Sequence, residues 1–159
     1  MGLDMYLEAR KYVSKSNWKD GEPSPNPDYS SLVALAPEGA TDKAVFGSAN
    51  ISLTVGYWRK ANAIHKWFCD LDGGRDECQE IYVSREKLME LRSLCESVVL
   101  QPAMAESTLP PQAGFFFGSY EIDEWYMNDI KETMDIIDHV LKMFPEDNWD
   151  WSFYYLASW

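Results

Sequence analysis

The stretch from Tyr57 to Phe68 concentrates side chains that suit ligand binding. Its twelve residues hold four aromatic rings, three cations, one amide and one of the two histidines of the chain. Guanidinium donors match phosphate and carboxylate, and aromatic rings stack on planar groups. The stretch therefore predicts a surface for a protein partner or for a small anionic or planar ligand. The residues assigned to this surface are Tyr57, Trp58, Arg59, Asn62, His65 and Lys66.

The same stretch has the spacing of an amphipathic helix from about Trp58 to Phe68. Steps of three and four place Arg59, Asn62 and Lys66 on one side, with His65 at its edge. In the alternative interpretation, the two cations pair with acidic residues elsewhere and the aromatic rings fill the core. The sequence leaves both interpretations open.

Catalysis is not favoured by these motifs. His65 as a general base would need an orienting carboxylate and a nucleophile within reach, and no spacing nominates either. Cys69 or Cys78 as a thiol nucleophile beside His65 is a minor alternative, because no recognisable signature surrounds them. Binding without turnover is the favoured interpretation, with no catalytic residue and no cofactor assigned.

The two halves of the chain differ in charge. The formal net charge is −12; residues 1–68 hold 8 Lys and Arg against 7 Asp and Glu, whereas residues 69–159 hold 6 against 19. Such a field repels phosphate backbones, so direct nucleic-acid binding is not expected. An acidic helix face offers an alternative function, imitation of the phosphates that a nucleic-acid-binding protein recognises. That face is Asp129, Glu132, Asp135 and Asp138.

The cysteines and acidic loops do not predict a metal site. Cys69, Cys78 and Cys95 lack the short paired spacings of zinc ligands and suggest no disulfide framework. The loop from Asp70 to Glu77 is rich in carboxylates, but Ile81 stands where a calcium loop needs glutamate. Metal ligands are therefore assigned as none. Without a signal peptide or a membrane-length apolar run, we expect a cytoplasmic protein that binds no membrane.

Periodicity predicts an α+β fold, a small antiparallel sheet of about four strands packed with about three helices. A single domain, 1–159, would carry a flexible insertion at 20–50, because the prolines between Asp20 and Asp28 oppose regular structure. The predicted strands are Leu3–Val13, Ile51–Tyr57, Glu80–Val83 and Trp149–Tyr155, and the predicted helices begin at Trp58, at Arg85 after the N-cap Ser84, and at Ser119 or Asp123.

The sequence contains two further clusters of aromatic residues. Phe115 to Phe117, between glycines, is a buried strand or a pocket lining, and Phe116 is added to the predicted binding residues. The aromatic residues after Asn148 complete the core and leave one face for self-association as a homodimer.

Three blocks of this sequence resemble a family of small uncharacterised bacteriophage and prophage proteins. The blocks are MGLDMYL at 1–7, YWRKANAIHKWF at 57–68 and GFFFGS at 114–119. The resemblance implies a phage accessory role, in the cytoplasm of an infected host cell. Small phage accessory proteins often bind and disable a host factor, which makes an anti-phage defence component a candidate target. The resemblance implies no catalytic residue.

Function hypotheses from different classes follow from these features. The leading one is a non-catalytic phage binding protein that captures a host protein or a small nucleotide-like ligand. The alternatives are an acidic nucleic-acid mimic, a small enzyme that uses His65 and Arg59 on a phosphorylated substrate, and an assembly protein.

Overall fold

The fold is seen in a computed structural model that describes residues 2–19, 21–37, 47–112, 114, 118–147 and 150–159. Its strands are β1 (Asp4–Ser14), β2 (Ser16–Lys19), β3 (Glu22–Pro25), β4 (Ser48–Arg59), β5 (Ile81–Val83) and β6 (Trp151–Ser158). Its helices are α1 (Pro27–Val33), α2 (Asn62–Leu71), α3 (Arg85–Leu100), α4 (Ala105–Thr108) and α5 (Glu124–Met143), with a 3-10 turn at Pro102–Met104.

The predicted α+β class is confirmed. Four strands form an antiparallel sheet in the order β4-β1-β6-β5, and β2 and β3 form a separate two-stranded sheet. Strand β1 shows why the alternating pattern was informative, since Leu3, Met5, Leu7 and Ala9 are all fully buried on one side. From Met5 to Ala9 the inward face of β1 is therefore entirely apolar.

The long helices begin where side-chain caps predict. Ser84 Oγ accepts the Lys87 amide at the start of α3, and Asp123 Oδ1 accepts the Tyr126 amide at the start of α5. Helices α3 and α5 pack against each other along apolar stripes. Ile122 precedes α5 and is exposed. No helix within the described residues is both long and apolar enough to cross a membrane.

The predicted helix start at Trp58 is wrong. Strand β4 continues to Arg59, and α2 begins only at Asn62. The physical reason is pairing with β1, because the Lys60 amide donates to the Leu3 carbonyl at 2.8 Å. Lys60 then adopts a left-handed φ of 61°, which turns the chain from strand into helix.

Two successive inward-facing residues of β4, Gly56 and Trp58, are closely packed. A Cβ added at Gly56 would lie 2.8 Å from Ile136 Cγ2 and 3.2 Å from Leu7 Cβ. Trp58 is almost completely buried, and its indole Nε1 donates to Thr133 Oγ1 at 2.9 Å. Only a residue without a side chain fits at position 56, and the indole beyond it fixes β4 to helix α5.

The contacts of the chain form two compact units, residues 1–9 with 53–159 and residues 10–52. The smaller unit corrects the expectation that prolines exclude regular structure there, since Pro23 and Pro25 lie in β3 and Pro27 opens α1. Proline is tolerated on an edge strand and in a first helical turn, where its missing N–H is not required. Asn26 caps α1 by accepting the Asp28 amide. The flexibility assigned to 20–50 stays a prediction.

Two predicted features lie wholly or partly outside the described residues. The Phe115–Phe117 run, including Phe116, is one of them. Trp149 is also outside, and the last strand is described from Trp151.

Candidate functional site

A cavity of about 330 Å³ lies where β4 turns into α2 and faces the first turns of α5. It is the volume of a small-ligand pocket, for which the usual range is roughly 300–1,000 Å³. One wall carries Arg59 and Lys60, and another carries Glu121, Asp123 and Asp129. The cavity therefore offers groups of both charge signs to one bound molecule.

The loop before α5 is tied to the start of α2 at this cavity. Asn62 is buried, and its side-chain Nδ2 donates to the Ser119 carbonyl at 2.6 Å. Gly118 adopts a φ of 88°, and a Cβ there would lie 3.5 Å from Lys60 Cβ. Asn62 thus forms part of the cavity wall and holds its shape.

Asp129 is the electrostatically unusual residue of the cavity. The pKa of its carboxyl group is raised from 3.8 to about 6, mainly by burial and in addition by the charges of Glu132 and Asp123. Thr133 Oγ1 donates to the backbone carbonyl of Asp129, at 2.7 Å. A ligand that presents a cation or an N–H donor to Asp129 would relieve the cost of holding this negative charge.

The rim of the cavity is exposed and aromatic. Trp125 keeps 78% of its surface in solvent although it precedes the buried Tyr126. Arg59 is also exposed, with Nη1 4.0 Å from Asp4 Oδ1. Tyr57 donates its hydroxyl to the same carboxylate oxygen at 2.6 Å, and this bond raises the pKa of the tyrosine. An exposed indole and a guanidinium beside one cavity are suited to a planar anionic ligand.

The binding residues predicted from sequence separate into different environments. Arg59 and Asn62 line the cavity, whereas Tyr57 lies exposed on β4. Trp58 and His65 are core residues, and Arg59 lies on β4, so the helical face predicted from Arg59, Asn62 and Lys66 does not exist. The last member, Lys66, forms an ion pair with Asp70 one helical turn away, as the alternative interpretation predicted for this cation.

The four carboxylates predicted as one acidic face do not share a face. Successive steps of three residues rotate about 60° around an α-helix, so Asp129 and Asp138 point in opposite directions. Asp129 lines the cavity, and Asp138 accepts two bonds from Arg92. Glu132, Asp135 and Asp138 are all exposed on this helix segment, and Asp138 is paired with Arg92. The exposed acidic face therefore excludes Asp129, and one of its three carboxylates is engaged in an ion pair.

A second polar cluster surrounds His65 and was not anticipated. His65 Nε2 lies 3.0 Å from Asp76 Oδ1 and 3.6 Å from Cys69 Sγ, while Nδ1 lies 2.6 Å from the Tyr155 hydroxyl. Gln112 Nε2 donates to the second oxygen of Asp76 at 3.2 Å. The step of four residues from His65 to Cys69 was visible in the sequence, but the other three partners come from distant segments.

Burial controls the protonation of this cluster. It lowers the pKa of His65, and it raises the pKa of Cys69 to about 12 and that of Tyr155 well above its ordinary value. The cluster also lacks the order of a cysteine-histidine-aspartate triad, because Cys69 and Asp76 both approach the same ring nitrogen. A neutral thiol in this arrangement is a poor nucleophile.

Comparisons of the chain with protein-family models, with curated proteins and with solved structures find no match.

Proposed function

We propose that the chain is a non-catalytic binding protein that captures a small nucleotide-like ligand in the cavity between β4, α2 and α5. The observation that carries this proposal is the pairing of an exposed cationic wall with the partly buried carboxylate of Asp129. A nucleotide has the complementary chemistry, with an anionic phosphate, a planar base and, on adenine, guanine and cytosine, an amino donor.

Each part of the ligand has a candidate partner. Arg59 and Lys60 attract the phosphate, the exposed ring of Trp125 stacks on the base, and Asp129 accepts from the amino group. Base stacking on an aromatic side chain contributes about 1–3 kcal/mol. Together these contacts provide both affinity and selection among bases.

Capture, as opposed to turnover, is supported by the composition of the cavity wall. Among the described residues that line it there is neither histidine nor cysteine, and the Ser119 hydroxyl accepts the Glu121 amide. Hydrolysis or group transfer would need a nucleophile and a base held together. The resemblance to phage proteins favours an accessory role in the host cytoplasm, where sequestration of a host signal would block a defence response.

The test is calorimetric titration of the purified protein with AMP, GMP, CMP and UMP, and with the corresponding nucleosides. We expect nucleotides to bind more tightly than nucleosides and the amino-bearing bases more tightly than uracil. Arg59→Ala should weaken nucleotide binding by about 10- to 150-fold and leave nucleoside binding unchanged, because a charge-assisted bond contributes about 1.5–3 kcal/mol.

Two further variants locate the base. Trp125→Ala should weaken every ligand by about tenfold. Asp129→Asn should remove the preference over uracil, whereas Asp135→Asn, on the exposed side of the same helix, is the matched control. No binding of any nucleotide or nucleoside to the folded protein, or an equal loss in the control variant, would refute the proposal. Product formation from a bound nucleotide would replace capture with catalysis.

A further inference from the structure

We propose that His65 Nε2, Cys69 Sγ and Asp76 Oδ1 form a binding site for Zn²⁺. The three atoms lie within 4.8 Å of one another, and each comes from a residue type that ligates zinc. This site is separate from the nucleotide cavity, since none of the three residues lines that cavity. The zinc-site proposal therefore does not depend on the nucleotide binding proposed above.

Two of the three ligand separations are close to those of tetrahedral zinc. Zn–N and Zn–S bonds of about 2.0 and 2.3 Å at a tetrahedral angle separate nitrogen and sulfur by about 3.5 Å. The observed separation of His65 Nε2 and Cys69 Sγ is 3.6 Å. The His65–Asp76 separation of 3.0 Å would need to widen by only about 0.4 Å to match the same geometry.

The local fold explains why these ligands meet. His65 and Cys69 are one turn apart on α2, so both side chains emerge from the same side of the helix. Gly73 and Gly74 follow the helix with φ values of 71° and 80°, a conformation open to glycine, and turn the chain back on itself. That reversal brings Asp76 to the two helical ligands.

The surrounding residues provide the outer contacts that metal ligands need. With zinc on Nε2, the ring proton of His65 resides on Nδ1 and is donated to the Tyr155 hydroxyl oxygen, 2.6 Å away. Gln112 holds the second oxygen of Asp76 from the other side. Such partners orient a histidine and a carboxylate in zinc proteins, and both are already in place.

Charge and hydrogen bonding also favour a cation here. Zinc binding displaces the proton of the Cys69 thiol, and the resulting thiolate together with the Asp76 carboxylate neutralises the metal charge. His65 and Cys69 are buried, so a neutral total is required. Gln112 Oε1 is a buried acceptor without a partner in the described part of the chain, and it can accept a hydrogen bond from water in the fourth zinc position.

The test uses the purified full chain, stripped with a chelator, dialysed and titrated with Zn²⁺ or Co²⁺. We expect one equivalent to bind, a higher melting temperature with Zn²⁺, and a cobalt–thiolate charge-transfer band. Cys69→Ser should abolish that band. Cys78→Ser, which changes an exposed free thiol, is the matched control and should retain it.

Two conservative variants keep the proposal testable if Cys69→Ser fails to fold. Asp76→Asn should weaken zinc binding, and Tyr155→Phe, which leaves all three ligands intact, should weaken it by about 10- to 100-fold. Failure of the folded protein to bind one equivalent would overturn the proposal. So would unchanged affinity in both variants, or a band that depends on Cys78. In those cases the cluster would be a hydrogen-bonded core element only.

Discussion

Replacing Asp129 with asparagine should stabilise the protein at neutral pH. The carboxyl group is partly buried, and Glu132 and Asp123 add repulsion to the cost of burial. Arg59, Lys60 and Glu121 line the same cavity, yet the pKa of Asp129 still rises to about 6. Asparagine has nearly the same shape and no charge, so the variant removes the electrostatic cost while it preserves the packing.

The sign and size of the effect follow from proton linkage. Between its ordinary pKa of 3.8 and its folded value of about 6, Asp129 binds more protons in the folded state than in the unfolded state. The wild-type stability from this group is therefore present below pH 4 and is lost as pH rises through 6. The full difference corresponds to about 3 kcal/mol, which partial solvation of the side chain reduces to roughly 1.5 kcal/mol.

Urea unfolding at pH 3.5, 5, 6 and 8 measures the stabilisation directly. The quantity compared is the free energy of unfolding of Asp129→Asn minus that of the wild type. The other carboxylates titrate in both proteins, so their contributions to this difference cancel. The difference should be near zero at the lowest pH and should reach a plateau of roughly 1.5 kcal/mol above pH 7. Asp135→Asn, on the exposed surface, should show no such trend. A pH-independent difference, or a destabilised variant at pH 8, would refute the reasoning.

Three further substitutions test how β4 and α5 are held. Trp58→Phe should lower the free energy of unfolding by about 2 kcal/mol, because it removes buried volume and the indole hydrogen bond. Tyr57→Phe, on the exposed side of β4, should change it by less than about 1 kcal/mol. Equal losses in urea unfolding would contradict the assigned faces. Gly56→Ala should lower the free energy of unfolding by about 1–3 kcal/mol through overpacking. Gly47→Ala, at a position with open space around it, should leave it unchanged. Similar melting temperatures of the two variants would disprove the clash at Gly56. Arg85→Gln should lower the free energy of unfolding by about 1 kcal/mol, because the guanidinium donates to the Leu141 and Phe144 carbonyls at the end of α5. An unchanged denaturation midpoint would show that water replaces these two hydrogen bonds.

Local patterns predicted the parts of the fold that depend on near neighbours. The alternation of Leu3, Met5 and Leu7 identified β1, and Ser84 followed by an apolar stripe identified α3. Both signals arise within a few residues, so an isolated sequence contains them. The class of the fold followed from counting such elements.

The candidate sites depend on partners that are far apart in the chain, and this is why the sequence revealed only fragments of them. The end of β4 is decided by a hydrogen bond from Lys60 to Leu3, which overrides the helical spacing around it. The environment of His65 depends on Tyr155, 90 residues away. Arg59 and Asn62 were singled out for their chemistry, but their side of the molecule could be assigned only once the turn at Lys60 was known.

The order of strands in the four-stranded sheet has a consequence for synthesis on the ribosome. Strand β6 lies between β1 and β5 and is translated after both. From Val83 to Ser158 the ribosome adds 75 residues, which takes roughly 4–15 s at about 5–20 residues per second. Throughout that interval β5 has no neighbour and β1 has one unpaired edge, and such edges invite aggregation. Until β6 is synthesised, the unpaired edges of β1 and β5 are therefore open to pairing with strands of other chains.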